Sequence, residues 1–160
     1  MSKENEQRAL PFPVTNGFTP IPNVIFTHYS FYPKFNGNVL RVYAYLLKLY
    51  NRDYGYAFPT QMQAMADLGI SDRTFRDSVK LLEEMRLVSV GKSQSRNNNV
   101  YYFEKPIENE AEFFAAFPEA AEVKRRKDAT VAKMKPKKED ARRRLVENRP
   151  IKTEDITEWL

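Results

Sequence analysis

Residues 58–90 constrain the fold of this chain most strongly, because their sequence specifies two helices and the turn between them. Pro59 and Thr60 supply a helix start, since Pro disfavours a helical residue before it and Thr accepts a hydrogen bond from a free N–H. Gly69 suits the left-handed residue that ends a helix. Ser71 is well suited to cap the next helix. The stretch therefore predicts a helix-turn-helix.

Apolar spacing assigns one face of each predicted helix to the core. In the second helix, apolar residues recur at helical spacing at Phe75, Val79 and Leu82, with Leu81 and Met85 widening the stripe. In the first helix, the pattern places Met62, Met65, Ala66 and Leu68 on the apolar side.

The outward face of the second helix carries short or donor-rich side chains near its start. In a DNA-binding helix-turn-helix, this is the face that enters the major groove. The predicted base-reading residues are Ser71, Arg73, Thr74, Arg76, Asp77 and Lys80. Thr60 and Gln61, at the start of the first helix, are predicted to contact the DNA backbone. A helix hairpin with a merely solvated charged face would show the same pattern, so this stretch alone leaves both interpretations open.

The residues after the second helix favour DNA binding. Leu87, Val88 and Val90 predict a strand, GKSQSRNNN a polar tip, and VYYFE a second strand. A β-hairpin of this kind, called a wing, lies along a phosphate backbone. The predicted wing contacts are Lys92, Ser93, Arg96, Asn97 and Asn98. The order helix, turn, helix, strand, basic loop and strand predicts a mainly α winged helix-turn-helix with a small β-hairpin and a helical, basic C-terminal extension.

The residues before this region predict the scaffold of the domain. A strongly apolar helix follows Asn36 or Asn38 and carries Val39, Val42, Tyr43, Leu46, Leu47 and Tyr50. Residues 56–58 predict a short strand. Asn23 is placed to cap a short helix that contains His28, the single histidine. With no second His, no Cys and no carboxylate pair nearby, His28 is predicted to pack or cap rather than to bind metal.

Four regions follow from composition: a flexible arm (residues 1–19), the winged helix (20–104), an acidic and aromatic helical segment (105–123), and a basic tail, helical or disordered (124–160). The net charge of +5 favours a polyanionic partner. Residues 124–149 hold 12 basic and 4 acidic side chains, a balance of +8. The tail residues predicted to bind DNA nonspecifically, by counterion release, are Lys124, Arg125, Arg126, Lys127, Arg142, Arg143 and Arg144.

Two apolar groups are candidates for protein contacts. Phe113, Phe114 and Phe117 do not share one helical stripe comfortably, which is compatible with a homodimer or with packing back on the winged helix. Ile156, Trp159 and Leu160 form a terminal apolar patch that either docks on a replisome protein or folds onto the domain.

The sequence lacks the signals that are typical of several functional classes. Without Cys there is no disulfide or thiolate metal site, which is consistent with a reducing cytoplasm. No apolar run is long enough to span a membrane, and the polar start MSKENEQR is unlike a secretory signal. The five Gly are not grouped into a phosphate loop, and no nucleophile or metal motif occurs. We therefore expect a cytoplasmic non-enzyme without cofactor or metal.

Two stretches resemble known families. IPNVIFTHY (Ile21–Tyr29), followed by an apolar helix and FPTQMQAMADLGIS, resembles the N-terminal winged-helix domain of DnaD-type primosomal proteins. PTQMQAMADLGISDRTFRDSVKLLEEMRLV (Pro59–Val88) also resembles the helix-turn-helix of replication proteins carried by plasmids and phages of Gram-positive bacteria. Together they cover about residues 20–104. The resemblance implies self-association and a role in starting DNA replication, through origin binding or helicase recruitment.

The second half departs from the DnaD pattern. It predicts no second globular helical domain, and Ile156 and Trp159 lie closer together than in that family's tyrosine-isoleucine-tryptophan motif. Origin binding or regulation is therefore favoured over helicase loading. The leading hypothesis is a sequence-specific double-stranded DNA binder in plasmid or phage replication initiation. A transcriptional regulator with the same fold, or a non-catalytic oligomerisation or replisome-interaction module, remains an alternative.

Overall fold

A computed structural model describes residues 10–147, apart from the side chains of residues 135–137 and 147. The elements, in order, are two 3₁₀ helices (Asn23–Phe26 and His28–Phe31), α1 (Gly37–Lys48), α2 (Gln61–Leu68), α3 (Asp72–Glu84), β1 (Val88–Lys92), β2 (Asn99–Phe103), α4 (Glu110–Ala116) and α5 (Pro118–Glu147). This order confirms the winged helix-turn-helix with a helical, basic extension. Part of the predicted N-terminal arm, and the terminal patch with Ile156, Trp159 and Leu160, lie outside the described residues.

Local capping defines the three central helices. The side-chain oxygen of Asn36 accepts from the N–H groups of Asn38 and Val39 at the start of α1. Thr60 caps α2 in the same way, with its hydroxyl oxygen 3.1 Å from the Gln63 nitrogen. Gly69 ends α2 in the left-handed conformation, at φ 61°, which costs other residues strain. The predicted helix starts and the tight turn are therefore confirmed.

The core lies mainly between α1 and α3. The buried side chains that fill it from these two helices are Val39, Val42, Tyr43, Leu46, Phe75, Val79, Leu81 and Leu82. These agree with the predicted stripes. The prediction for α2 was wrong in part, because Met62 is 80% exposed, Ala66 is also exposed, and Ala64 is fully buried instead. Ala64 and Leu68 are four residues apart and so share a face, whereas Met62 and Ala66 lie on another.

Polar contacts from α1 help to hold α2, whose buried face is small. The Tyr45 hydroxyl donates to the Asp67 carboxylate across 2.6 Å. Arg41 donates to the Leu68 carbonyl at the end of α2. Tyr45 is buried, while Tyr50, which the spacing assigned to the core, is exposed at the helix end. Burial and the hydrogen bond to Asp67 raise the pKa of Tyr45, so its hydroxyl remains a donor at neutral pH.

The wing is an antiparallel pair in which Val88 lies opposite Phe103 and Lys92 opposite Asn99. Because residues 91 and 92 are paired, the loop spans only residues 93–98 and is shorter than predicted. The predicted strand at residues 56–58 is reduced to two isolated bridges, between Tyr56 and Asn51 and between Ala57 and Tyr101. The second has backbone hydrogen bonds of 3.0 and 2.8 Å.

The two 3₁₀ helices join the beginning of the domain to its end. Asn23 does not cap this region: the residue before the first 3₁₀ helix is Pro22, and no side chain supplies a cap there. His28 is buried and donates from Nε2 to the Ile107 carbonyl across 2.7 Å. The Ile107 N–H in turn donates to the Tyr29 hydroxyl across 2.8 Å. The predicted packing role of His28 is therefore confirmed.

The acidic, aromatic segment packs back on this region. The Phe113 ring is fully buried and lies 4.5 Å from the Tyr29 ring and 4.8 Å from the His28 ring, centre to centre. Phe117 is buried against Tyr32 at 5.3 Å. Of the two alternatives for these aromatics, packing on the same chain is the one observed.

Helix α5 leaves the core soon after it begins. Ala120 is fully buried, and the ammonium groups of Lys124 and Lys127 lie 5.5 and 5.8 Å from the centre of the Phe31 ring. The side chains at residues 125–134 and 138–146 are exposed. None of the helices within the described residues is apolar over a length that would cross a membrane.

We predict that Tyr45→Phe lowers the free energy of unfolding by about 1.5 kcal/mol, because it removes a hydrogen bond to a carboxylate. Urea denaturation followed by circular dichroism would measure the change. Tyr50→Phe is the matched control, since that hydroxyl has no hydrogen-bond partner among the described residues. Equal effects of the two substitutions would contradict a specific role for the contact between Tyr45 and Asp67.

Candidate nucleic-acid interface

Helix α3 exposes the charged side chains that the sequence assigned to base reading. Arg73, Arg76, Asp77 and Lys80 are exposed, whereas Phe75, Ser78 and Val79 on the other side are buried. A helix packed through one face against α1 thus presents the opposite face to solvent. The long side chains near its start are those that would reach base edges in a major groove.

Two predicted contacts have structural roles at the start of α3. The Ser71 hydroxyl oxygen accepts from the Thr74 N–H across 3.1 Å, which caps the helix. The two hydroxyl oxygens of Ser71 and Thr74 lie 2.9 Å apart. These two side chains therefore fix the position of the helix start. Thr74 is also half-buried.

Both arginines of this face are paired within the helix. Arg73 Nε lies 3.6 Å from an Asp77 carboxylate oxygen, and Arg76 pairs with Asp72 one turn earlier. Exposed pairs of this spacing contribute only about 0.2–0.5 kcal/mol. A bidentate contact between arginine and guanine is worth about 1–3 kcal/mol, so binding DNA would outweigh the loss of either pair.

Charge alone does not make α3 a binding element. The helix carries three basic side chains (Arg73, Arg76 and Lys80) and four acidic ones (Asp72, Asp77, Glu83 and Glu84), for a balance of −1. Net attraction to phosphates would therefore depend on the elements around it.

One such element, the start of α1, was missed by the sequence analysis. A groove of about 430 Å³ separates it from α3. From the α1 side it is lined by Lys34, Asn36, Asn38 and Val39, and from α3 by Thr74, Asp77, Ser78, Lys80, Leu81 and Glu84, so the charge that the α1 side contributes is the positive charge of Lys34. Lys34 is exposed and has a left-handed backbone, at φ 64°. The turn-rich stretch SFYPKFNG was the available signal, but its position beside α3 depends on tertiary packing.

Three of the five predicted wing residues line one pocket. Ser93, Arg96 and Asn98 line a pocket against the turn that contains Tyr54 and Tyr56. The residues outside this pocket are Lys92, which is exposed at the end of β1, and Asn97, which is left-handed at φ 53° in the loop. The structure thus places the five predicted wing residues in one hairpin, with three of them at this pocket.

The remaining predicted contacts differ in their exposure and in whether another side chain or the backbone already pairs with them. Thr60 is exposed, and its hydroxyl keeps a hydrogen for donation while its oxygen caps α2; Gln61 is half-buried. At the start of α5, Lys124 pairs with Asp128 at 2.7 Å. The side-chain hydrogen bond to Asp128 raises the pKa of Lys124.

The rest of the basic tail divides into two parts. Arg125 and Arg126 both pair with Glu122. Arg142, Arg143 and Arg144 are exposed, and none of them has an ion-pair partner within the described part of the chain. The uncompensated positive charge of α5 therefore lies toward its C-terminal end.

Comparisons with known proteins give structural likenesses only. No protein-family model and no curated protein matches the chain. One similar structure is described as the N-terminal domain of a DNA-binding protein: it is 20% identical, with 68% of this chain and 92% of that one covered and a TM-score of 0.48. Another is the adhesin competence repressor (AdcR) from Streptococcus pyogenes, 14% identical, with coverage of 85% and 82% and a TM-score of 0.37. Both scores are low, so the fold assignment rests on the element order described above.

We predict that Ser71→Ala lowers the free energy of unfolding by about 1 kcal/mol, because it removes the cap of α3. Ser71→Asp should retain most of the stability, since a carboxylate also accepts from the free N–H groups. Thermal and urea unfolding would measure both variants, with Ser95→Ala in the exposed wing loop as the control. An unchanged stability of Ser71→Ala would contradict the capping role.

Proposed function

We propose that this chain is a non-enzymatic, sequence-specific double-stranded DNA-binding protein, with α3 in the major groove and the wing along the phosphate backbone. The observation that carries the proposal is the outward face of α3. Exposed Arg73, Arg76 and Lys80 project from a helix whose other face is buried, within the helix-turn-helix and hairpin order typical of DNA readers.

The charge distribution supports a division of roles between specificity and affinity. Arginine is the commonest reader of guanine, which assigns base recognition to Arg73 and Arg76. Because α3 has no net positive charge, affinity would come from phosphate contacts by Lys34 and the wing residues Lys92 and Arg96. The exposed arginines at residues 142–144 would add nonspecific attraction.

We further propose that the process served is the initiation of plasmid or phage DNA replication. The support is the resemblance of residues 21–29 and 59–88 to replication proteins, and it comes from sequence alone. A transcriptional regulator would present the same interface. Selection of bound fragments from the source DNA separates the two, since a replication role predicts enrichment of an origin and a regulatory role predicts enrichment of promoters.

We predict different losses from the two parts of the interface. Arg73→Ala should weaken binding to the selected sequence by about 1–3 kcal/mol and relax discrimination at one base pair. The double variant Lys92→Ala/Arg96→Ala should weaken binding to every sequence and reduce the salt slope by about two, one per phosphate contact. Fluorescence anisotropy with specific and unrelated duplexes, over a range of salt concentrations, would measure both effects.

The matched control is Lys48→Ala, which removes a positive charge at the far end of α1. It should leave discrimination unchanged. If Arg73→Ala weakens all duplexes equally, Arg73 contacts only phosphate. If the unmodified protein shows neither a preferred sequence nor a salt-dependent affinity, the chain is an interaction module and the proposed function is wrong.

We also propose that the chain acts as a homodimer, paired through α5 rather than through the α4 aromatics. Val131, Met134 and Leu145 are exposed apolar side chains on this helix. Met134 and Leu145 follow Val131 by 3 and 14 residues, which places all three on one face of the helix. Two such helices would seat two winged helices on a DNA site with two-fold symmetry.

Leu145→Lys should weaken this dimer, because it places a charge in the apolar seam. Sedimentation equilibrium would measure the change, and Val14→Lys, an exposed apolar site outside α5, is the control. Since α5 is rich in Lys and Arg, salt should screen repulsion between the two helices and strengthen the dimer while it weakens DNA binding. A monomer at all salt concentrations would contradict the proposal.

A further inference from the structure

An exposed aromatic cluster lies at the base of the wing and has no role in the helix-turn-helix. It consists of Tyr54, Tyr56, Phe58 and Tyr102. The Tyr54 and Tyr56 rings lie 5.8 Å apart and nearly parallel, at 19°, and Tyr102 meets Tyr56 at 5.5 Å. Tyr54 is 61% exposed and Tyr102 43% exposed. Rings that served only to fill the core would be buried, as Phe75 and Tyr101 are.

Three residues of the cluster, Tyr54, Tyr56 and Phe58, form one wall of a pocket, and the wing loop forms the other. The pocket has a volume of about 150 Å³, which is room for several water molecules and hence for one flat ring system. Its lining residues are Tyr54, Tyr56, Phe58, Ser93, Ser95, Arg96, Asn98 and Val100. Arg96 is the charged residue among them, and no ion pair engages it within the described part of the chain.

These walls select a ligand with three properties. Aromatic rings bind the face of a planar group by stacking. The serine hydroxyls and the Asn98 amide offer donors and acceptors to a polar edge. The Arg96 guanidinium binds an anion, and phosphate suits its geometry. A nucleotide combines all three, but a base inside a duplex has both faces covered by its neighbours.

We propose that this pocket binds an unpaired nucleobase of single-stranded DNA, with the phosphate of the same nucleotide on Arg96. The inference rests on the proposed function in placing DNA along the wing, and it adds a second, single-stranded substrate. A methylated ammonium ligand, which aromatic cages also bind, is disfavoured by the positive charge of Arg96. An apolar peptide is disfavoured because half of the lining is polar.

The pocket walls are held in place before any ligand binds. The Asn51 side chain accepts from the Asp53 and Tyr54 N–H groups at 2.9 and 3.1 Å, which fixes the turn that carries Tyr54. Behind the wall, Gly91 allows the Tyr102 ring, which contacts the pocket residue Tyr56, to lie close to the strand, since a Cβ there would lie 3.0 Å from that ring. Such preorganisation reduces the entropy lost on binding.

The test is binding of a dT12 single strand that contains one 2-aminopurine, measured by anisotropy and by quenching of the 2-aminopurine fluorescence. Tyr54→Leu keeps an apolar side chain but removes the aromatic face. It should weaken single-strand binding by about 5- to 100-fold and abolish the quenching, whereas Tyr54→Phe should stay within about twofold of the unmodified protein. Phe26→Leu, at an exposed ring outside the cluster, is the matched control.

A duplex that carries the selected sequence, measured in parallel, separates this inference from the proposed function. Tyr54→Leu should leave duplex affinity unchanged, and circular dichroism should show that it is folded. If the unmodified protein binds the duplex but not the single strand, or if Tyr54→Leu and Tyr54→Phe lose the single strand equally, the inference is wrong while the proposed function stands. If the single strand binds through Tyr54 and no duplex binds, the proposed function is wrong and the inference stands.

Discussion

The burial of one face of α3 against α1 is the contact on which the rest of the structure depends. Phe75, Val79 and Leu82 point inward, and a helix turns by about 100° per residue. Their burial therefore leaves Arg73 and Arg76 no orientation other than outward. Fully burying each large apolar side chain contributes about 1.5–3 kcal/mol before conformational entropy is counted. That is several times the energy of the surface ion pairs, so packing, and not charge, orients the candidate interface.

A second set of contacts closes the domain by joining sequence-distant segments. Both backbone polar groups of Ile107 are hydrogen-bonded: its carbonyl accepts from His28, and its N–H donates to the Tyr29 hydroxyl. The Phe113 ring then packs on the same two side chains. The aromatic segment after the wing is thus part of the core, which explains why its rings are buried although α4 is only a short helix. It also fixes where α5 begins, and hence the direction in which the basic helix leaves the domain.

What the sequence predicted well was governed by neighbouring residues. The caps at Thr60 and Ser71 and the left-handed Gly69 depend on a few adjacent atoms, and these predictions were confirmed. What it missed depends on contacts between distant segments. Three features follow from how whole elements pack. Ala64 is buried in place of Met62, a predicted strand is reduced to isolated bridges, and Lys34 lies beside α3. No periodicity within one element carries that information.

The aromatic pocket shows the same limit in the candidate site itself. Arg96 and Asn98 were predicted as wing contacts, but their partners across the pocket lie about 40 residues earlier in the chain, in a stretch predicted only as a turn and a short strand. The bridge between Ala57 and Tyr101 brings that turn to the wing, and so adds stacking surface beside the arginine. The pocket therefore differs chemically from α3. The helix offers donors suited to the edges of paired bases, while the turn across the pocket from Arg96 offers aromatic faces that only an unpaired base can use. Under the two proposals, α3 would hold paired bases and the aromatic pocket an unpaired base, so the domain would be suited to a junction between duplex and single-stranded DNA.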